Sequence, residues 1–178
     1  MNFAHVRRGG PYYRVVDPTW QDPSDASYSR RAGGRWNEPD RPGRPGFGAL
    51  YLNATLEVAR ANAARHIASQ FGPSITFDDF AAGALPQLQY YDIAETDFVD
   101  AVSSIAINGL GLAASYPREI PHPPCQGIAA AAYANDEHGI AVLSAVGRAP
   151  TDEELVVFDR DVHAIAGKGQ RVDFSDWY

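Results

Sequence analysis

The order of apolar and polar residues along the 178-residue chain predicts short strands that alternate irregularly with helices. Apolar residues recur every three to four positions in 56–71, which predicts a helix capped by Thr55. Further helices are predicted at 97–112 and 126–136. Strands are predicted at 11–16, 49–52, 74–77, 87–93, 138–147 and 154–159. This pattern predicts an α+β fold with a small mixed or antiparallel sheet flanked by helices.

Long loops separate these elements. Residues 17–34 are predicted as a loop and residues 117–125 as a proline-rich connector. The segment 33–48, GGRWNEPDRPGRPGFG, has no periodicity of its own. Loops of this length are usually functional or disordered. Because a disordered loop rarely needs a tryptophan, Arg35 and Trp36 indicate a functional loop.

Length and composition limit the class of protein. The chain is ordinary in composition, with 45% hydrophobic and 21% charged residues, and its length suits a single domain. The only cysteine, Cys125, excludes a disulfide framework and a cysteine-based zinc site. No apolar run is long enough for a transmembrane helix, and the first residues lack the apolar segment of a signal peptide. We therefore expect a cytoplasmic protein that does not bind membranes.

The charges are unevenly placed. The net charge of −7 argues against direct binding of nucleic acid through its phosphates. Fourteen of the fifteen basic residues are arginine, and eight lie in the first quarter of the chain: Arg7, Arg8, Arg14, Arg30, Arg31, Arg35, Arg41 and Arg44. Since guanidinium groups match phosphate and carboxylate geometry, the cluster predicts a local anion site. A codon bias towards arginine is the alternative explanation for the ratio of arginine to lysine.

Several common catalytic motifs are absent from the sequence. It contains no GxGxxG, no GxxxxGK[ST] and no GxSxG, and its five histidines show neither HxxxH nor HExxH spacing, so we expect no metal. Polar residues near the predicted strands and on one helical face remain as candidates. Each also has a structural interpretation, as a core tyrosine, a packed histidine, a strand-end serine or a surface ion pair. These candidates are Arg14, Arg35, Tyr51, Asn62, His66 and Ser144.

The candidates occur in an order that resembles the RES-domain toxin family, which is named for an Arg, a Glu and a Ser. The matching elements are Tyr13-Arg14, Gly34-Arg35-Trp36-Asn37, Tyr51-Leu52, the helix 56–71 with His66, and Gly139-Ile140 with Ser144-Ala145. The resemblance spans about residues 11–147. We therefore expect residues 1–178 to form a single RES-like domain, in which 148–178 form a C-terminal strand and tail.

The resemblance implies an ADP-ribosyltransferase-like fold and a toxin that degrades NAD without a metal. Such proteins cleave the nicotinamide–ribose bond by hydrolysis or phosphorolysis. By this resemblance Arg14, Arg35, Tyr51 and Ser144 bind NAD, and Arg35, Asn62 and Ser144 are the catalytic positions. The arginines would hold the diphosphate, and the Tyr51 ring would stack on nicotinamide or its ribose. The resemblance also implies neutralisation by a helix-turn-helix antitoxin of the Xre type, and a possible homodimer in the toxin–antitoxin complex.

The sequence departs from the family pattern at one important position. The family's helix glutamate falls on Asn62, which can form hydrogen bonds but carries no charge. Glu57 cannot replace it, because five helical residues turn a side chain by about 140°. Two alternatives therefore stay open, a protein ADP-ribosyltransferase on the same scaffold and a degenerate protein that only binds a nucleotide or a partner. Substituting Asn62→Glu separates a degenerate site from a working one.

Overall fold

The computed structural model describes residues 2–149 and 151–178. In this part of the chain, six strands and six α-helices follow one another. Two short 3₁₀ turns, Phe77–Asp79 and Ala82–Ala84, lie between α2 and β3. The order is β1 (His5–Val16), α1 (Ser27–Ala32), β2 (Ala49–Asn53), α2 (Leu56–Phe71), β3 (Gln87–Ala101), α3 (Ser104–Gly109), α4 (His122–Ala134), β4 (Gly139–Leu143), β5 (Glu153–Phe158), α5 (Val162–Ile165), β6 (Ala166–Val172) and α6 (Phe174–Trp177).

The strands form one mixed sheet in the order β1-β2-β5-β4-β3-β6. The long strands β1 and β3 also pair with each other, so five strands form a closed ring, with β6 added at the outer side of β3. β1 meets β2 at the pair Tyr13–Asn53. β3 and β4 run parallel over Val99–Ala101, and the other described pairs are antiparallel. The α+β class and the mixed sheet predicted from the sequence are confirmed.

Alternation along the central strands separates two cores on opposite faces of the sheet. On β5, Val156 and Phe158 pack in one core, whereas Leu155 and Val157 pack in the other. The first core also holds Trp36 and the buried face of α4. One face of β5 therefore points towards α4 and the 33–48 loop, and this face includes the side chain of Glu154.

The helix α2 has the predicted bounds. Its N-cap, Thr55, accepts a hydrogen bond from the Val58 backbone amide at 3.2 Å, as its residue type predicts. The buried side of the helix packs against β3 and the C-terminal Trp177, which is buried. The Arg60 Nε donates to the Trp177 carbonyl at 2.8 Å. The C-terminus therefore holds α2 against the sheet.

One predicted strand is wrong, and one predicted helix is correct only over Ser104–Gly109. Residues 74–77 form no strand, because Thr76 and Asp79 form a reciprocal capping box that favours a 3₁₀ turn. Residues 97–101 are the end of β3 rather than the start of a helix, since they pair with β1 and β4. The carboxylate of Asp100 then accepts the Val102 and Ser103 amides at 2.8 and 2.9 Å, and the helix follows as α3.

Other boundaries differ from the sequence predictions. The predicted loop 17–34 contains α1, and α4 takes in the end of the proline-rich connector. Proline is tolerated there because the first turn of a helix has no partner for its amides. The C-terminal tail contains α5, β6 and α6. No helix in residues 2–149 or 151–178 is long and apolar enough to cross a membrane.

Candidate active site

A cleft of about 480 Å³ opens beside the sheet, where α2, α4 and the 33–48 loop come together. This volume lies within the range of about 300–1,000 Å³ found for small-molecule sites. Its polar and charged side chains come from seven separate parts of the chain. They are Arg14 of β1, Tyr28 and Ser29 of α1, Arg35 of the loop, Tyr51 and Asn53 of β2, Asn62, Arg65, His66 and Ser69 of α2, His122 of α4 and Glu154 of β5.

Two arginines of the cleft are held by backbone carbonyls. Arg14 donates from Nη1 to the Pro23 carbonyl at 2.7 Å, and its guanidinium lies 5.3 Å from the Trp20 ring centroid. Arg35 donates from Nη1 to the Pro117 carbonyl at 2.6 Å. Within the described residues neither arginine has a carboxylate partner within 4.0 Å. Each guanidinium has five N–H donors, and only one of them donates in the hydrogen bonds described here.

The cleft is positively charged although the protein is acidic. Its lining contains three arginines, including Arg65, and one carboxylate. Burial lowers the pKa of Arg14, although an arginine keeps its proton at neutral pH. Burial, together with the charges of Arg35 and Arg65, lowers the pKa of His122, so this side chain is neutral at pH 7. Such a site favours an anionic ligand.

The loop that carries Arg35 is fixed by a buried network. Asn37 is fully buried, and its amide donates to the carbonyls of Ser29 at 2.7 Å and Phe47 at 3.2 Å. Tyr51 donates its hydroxyl hydrogen to Asn37 Oδ1 at 2.8 Å and accepts the Trp36 amide at 3.0 Å. Burial raises the pKa of Tyr51, so the hydroxyl stays protonated. The phenol therefore holds the loop, while the rest of the Tyr51 side chain lines the cleft.

Gly34 is required by the close approach of Tyr51. A Cβ at this position would lie 2.5 Å from the Tyr51 hydroxyl and 2.8 Å from Asn37 Oδ1. We expect Gly34→Ala to destabilise the protein by about 1–3 kcal/mol, the usual cost of overpacking, and to displace the loop. Chemical denaturation measures this. Gly127→Ala is the matched control, because a Cβ there meets open space on α4. Equal stability of the two variants would contradict the packing argument.

A polar network crosses the opposite wall of the cleft. Asn62 donates through Nδ2 to Asn53 Oδ1 at 2.7 Å and to Glu154 Oε1 at 3.0 Å. Ser144 donates its hydroxyl hydrogen to the same Glu154 oxygen at 2.6 Å. Asn53 in turn donates to the Tyr13 carbonyl at 2.9 Å. The register explains the contact, because Asn53 of β2 lies directly opposite Glu154 of β5.

The structure brings most of the sequence candidates together. Arg14, Arg35, Tyr51, Asn62 and His66 all line the cleft. Ser144 is 4% exposed and lies behind Glu154 rather than on the cleft surface. In this structure the Ser144 hydroxyl holds the carboxylate of Glu154, and direct contact of Ser144 with NAD stays a prediction.

Sequence reasoning missed Glu154. This residue begins the predicted strand 154–159, and its chemistry is ordinary for a surface strand end. The signal available was alternation, since Glu154 shares its face with Val156 and Phe158. The sequence gives no register between β2 and β5, and without that register the residue cannot be placed beside Asn62.

The described residues offer neither a metal site nor a reactive thiol. In the described part of the chain, no group of three or more His, Cys, Asp or Glu side chains is placed to hold a metal ion. Cys125 is fully buried in the core beneath α4. Burial raises the pKa of its thiol to about 11, so it is not a thiolate at neutral pH.

These observations define an α+β protein with a positively charged cleft of the size that binds small molecules. The family model for the RES domain matches residues 11–176, so the chain belongs to the RES-domain family. The family resemblance inferred from the sequence is confirmed. The fold is similar to that in a crystal structure described as the M. tuberculosis MbcT-MbcA toxin-antitoxin complex, with a TM-score of 0.76 and 23% identity, over 96% of this chain and 86% of that chain. No curated protein matches the chain in sequence.

Proposed function

We propose that this protein is a RES-type toxin that binds NAD and cleaves its nicotinamide–ribose bond. One observation carries the proposal: Arg14, Arg35, Tyr51 and Asn62, which lie far apart in the sequence, line one cleft. The resemblance to the family places NAD binding at the first three of these positions and catalysis at Arg35 and Asn62. The excess of arginine in the cleft supports a substrate that carries a diphosphate.

The chemistry of the bond fits the two walls of the cleft. When the bond between ribose C1′ and the pyridinium nitrogen breaks, the electron pair goes to nitrogen and releases neutral nicotinamide. Positive charge develops on the ribose until an oxygen of water or inorganic phosphate bonds to C1′. Arg14 and Arg35 bind the diphosphate, and the polar wall around Asn62 faces the ribose. Fixed groups placed where charge develops are usually the largest contribution to such catalysis.

An antitoxin is the proposed partner. The similar M. tuberculosis structure is described as a toxin–antitoxin complex, and the exposed aromatic side chains of Trp20 and Tyr28 lie at the cleft. A helix-turn-helix protein of the Xre type that covers this opening would exclude NAD. Large exposed aromatic side chains of this kind are typical of residues that become buried in protein interfaces.

The first test is nicotinamide release from NAD by the purified, antitoxin-free protein, with and without phosphate. We expect release by the wild type and a 10- to 100-fold weaker binding of NAD by Arg35→Ala, because a hydrogen bond to a charged group contributes about 1.5–3 kcal/mol. Arg41→Ala is the control, since Arg41 is exposed and outside the cleft.

The products separate the remaining alternatives. A dependence on phosphate identifies phosphorolysis, and its absence identifies hydrolysis. Transfer of label from NAD to a protein would indicate an ADP-ribosyltransferase. Binding of NAD without release would indicate a degenerate binding protein, and neither binding nor release would overturn the proposal.

A further inference from the structure

Glu154 is the one carboxylate among the residues that line the described cleft. Its Oε1 accepts hydrogen bonds from Asn62 and Ser144. Its Oε2 has no hydrogen-bond partner among the described residues. Since no buried side-chain oxygen or nitrogen in the described part of the chain lacks a partner, Oε2 must be accessible. One oxygen is therefore fixed by the protein, and the other is accessible in a residue that lines the cleft.

Glu153, the residue before Glu154 on β5, differs from it by having a basic partner. It points to the opposite face and forms a two-point ion pair with Arg8, at 2.8 Å to Nε and 3.0 Å to Nη2. Glu154 is also only partly exposed, yet no described Lys, Arg or His lies within 4.0 Å of its carboxylate. The charge of Glu154 is therefore unpaired within the described residues and is free to face a positively charged group of a ligand.

We propose that Glu154 supplies the carboxylate that the family's helix glutamate supplies at the position of Asn62. The inference rests on the proposed cleavage of NAD. Oε2 accepts a hydrogen bond from a ribose hydroxyl, and the negative charge stabilises the positive ribose as nicotinamide leaves. The carboxylate reaches the same place from β5 instead of α2, because Asn62 Nδ2 and Glu154 Oε1 are only 3.0 Å apart.

Asn62 is a positioning residue in this arrangement. Its amide nitrogen lies between two acceptors, Asn53 Oδ1 and Glu154 Oε1, which fixes the orientation of the amide group. The Ser144 hydroxyl is fixed in turn by the Val146 and Gly147 amides at 3.3 and 3.2 Å. Two neutral donors thus hold the carboxylate without cancelling its charge.

The first arm of the experiment compares Glu154→Gln with Glu153→Gln. Each removes one charge from adjacent residues of β5 and keeps the side-chain shape. We expect Glu154→Gln to lower kcat for nicotinamide release by about 10²–10³, as for loss of one preorganised group, while the Kd for NAD changes by less than about tenfold. We expect Glu153→Gln to keep the wild-type kcat. Equal activity of Glu154→Gln and the wild type would overturn the inference while leaving the proposed function standing.

The second arm moves the charge. The double variant Asn62→Glu with Glu154→Asn moves the carboxylate to the helix position at which the family carries its glutamate, and we expect its kcat to recover to within about tenfold of the wild type. A role for Glu154 in stability alone predicts no such recovery, so a double variant as slow as Glu154→Gln would also overturn the inference. If the wild type itself released no nicotinamide, the proposed function would fail, and this inference with it.

Discussion

Replacing Trp36 with alanine is expected to destabilise the protein by about 3–5 kcal/mol, the usual cost of removing a large buried aromatic side chain. Trp36 is 2% exposed and packs edge-on against Tyr116, with ring centroids 6.2 Å apart. It also precedes the buried Asn37 and follows Arg35 in the same loop. We therefore expect the variant to lose NAD binding in addition to stability, because the packing of Trp36 places the Arg35 guanidinium.

Urea denaturation measures the change in the free energy of unfolding, and Trp20→Ala is the matched control. Trp20 is 36% exposed and lies outside the cores, so we expect a loss of less than about 1 kcal/mol. Trp36→Phe keeps most of the apolar volume. We expect it to lose less stability than Trp36→Ala and to bind NAD more tightly than Trp36→Ala does. A stable Trp36→Ala variant, or one that binds NAD as the wild type does, would show that the loop does not depend on this core contact.

Much of the fold was predictable because some segments carry their own structural signals. Thr55 and the spacing of apolar residues determine α2 locally, and the prediction of 56–71 matches the observed helix. The end of β3 was not predictable in this way. The sequence around Phe98 and Val99 predicts a helix. These residues are extended because they pair with β1 and β4, which are distant in the chain. Sheet pairing outweighs local preference there.

The candidate site also has one part that local sequence signals predict and one part that depends on long-range pairing. The residue types around Arg35 follow from their environments. Gly34 allows the close approach of Tyr51, Trp36 packs in the core, and the Asn37 amide is buried. This short motif was therefore enough to find Arg35. The polar network of Asn62 and Glu154 on the opposite wall has no comparable motif. Its geometry arises from the register of β2 with β5, which depends on the whole sheet.

With the proposed role of Glu154, the absence of the family glutamate at Asn62 does not by itself make the site inert. A helix position that loses its charge can keep its function if a neighbouring strand supplies the carboxylate within hydrogen-bond distance. Asn62 then contributes through its amide N–H, which a glutamate cannot offer when ionised. In the proposed arrangement the pair supplies one charge and one donor, and the double variant tests whether either residue can carry the charge.

Asn62→Glu is therefore expected to lower the kcat for nicotinamide release by about 10²-fold at neutral pH, by analogy with the loss of a preorganised group. The new carboxylate would meet Glu154 at hydrogen-bond distance, and two carboxylates in one site repel unless they share a proton. It would also leave Asn53 Oδ1 without the donor that it has at 2.7 Å. Ala64→Glu, which adds the same charge at an exposed position of α2, should keep the wild-type rate.

The pH dependence of this variant tests the reason for the loss. When the glutamate at position 62 is protonated, its hydroxyl can donate to Glu154 as the Asn62 amide does, so the rate relative to the wild type should rise as the pH falls. Steady-state rates of the wild type and the variant between pH 5 and pH 8 measure this ratio. A variant faster than the wild type at neutral pH would mean that Asn62 is a degenerate catalytic position, and that Glu154 does not supply the charge of the site.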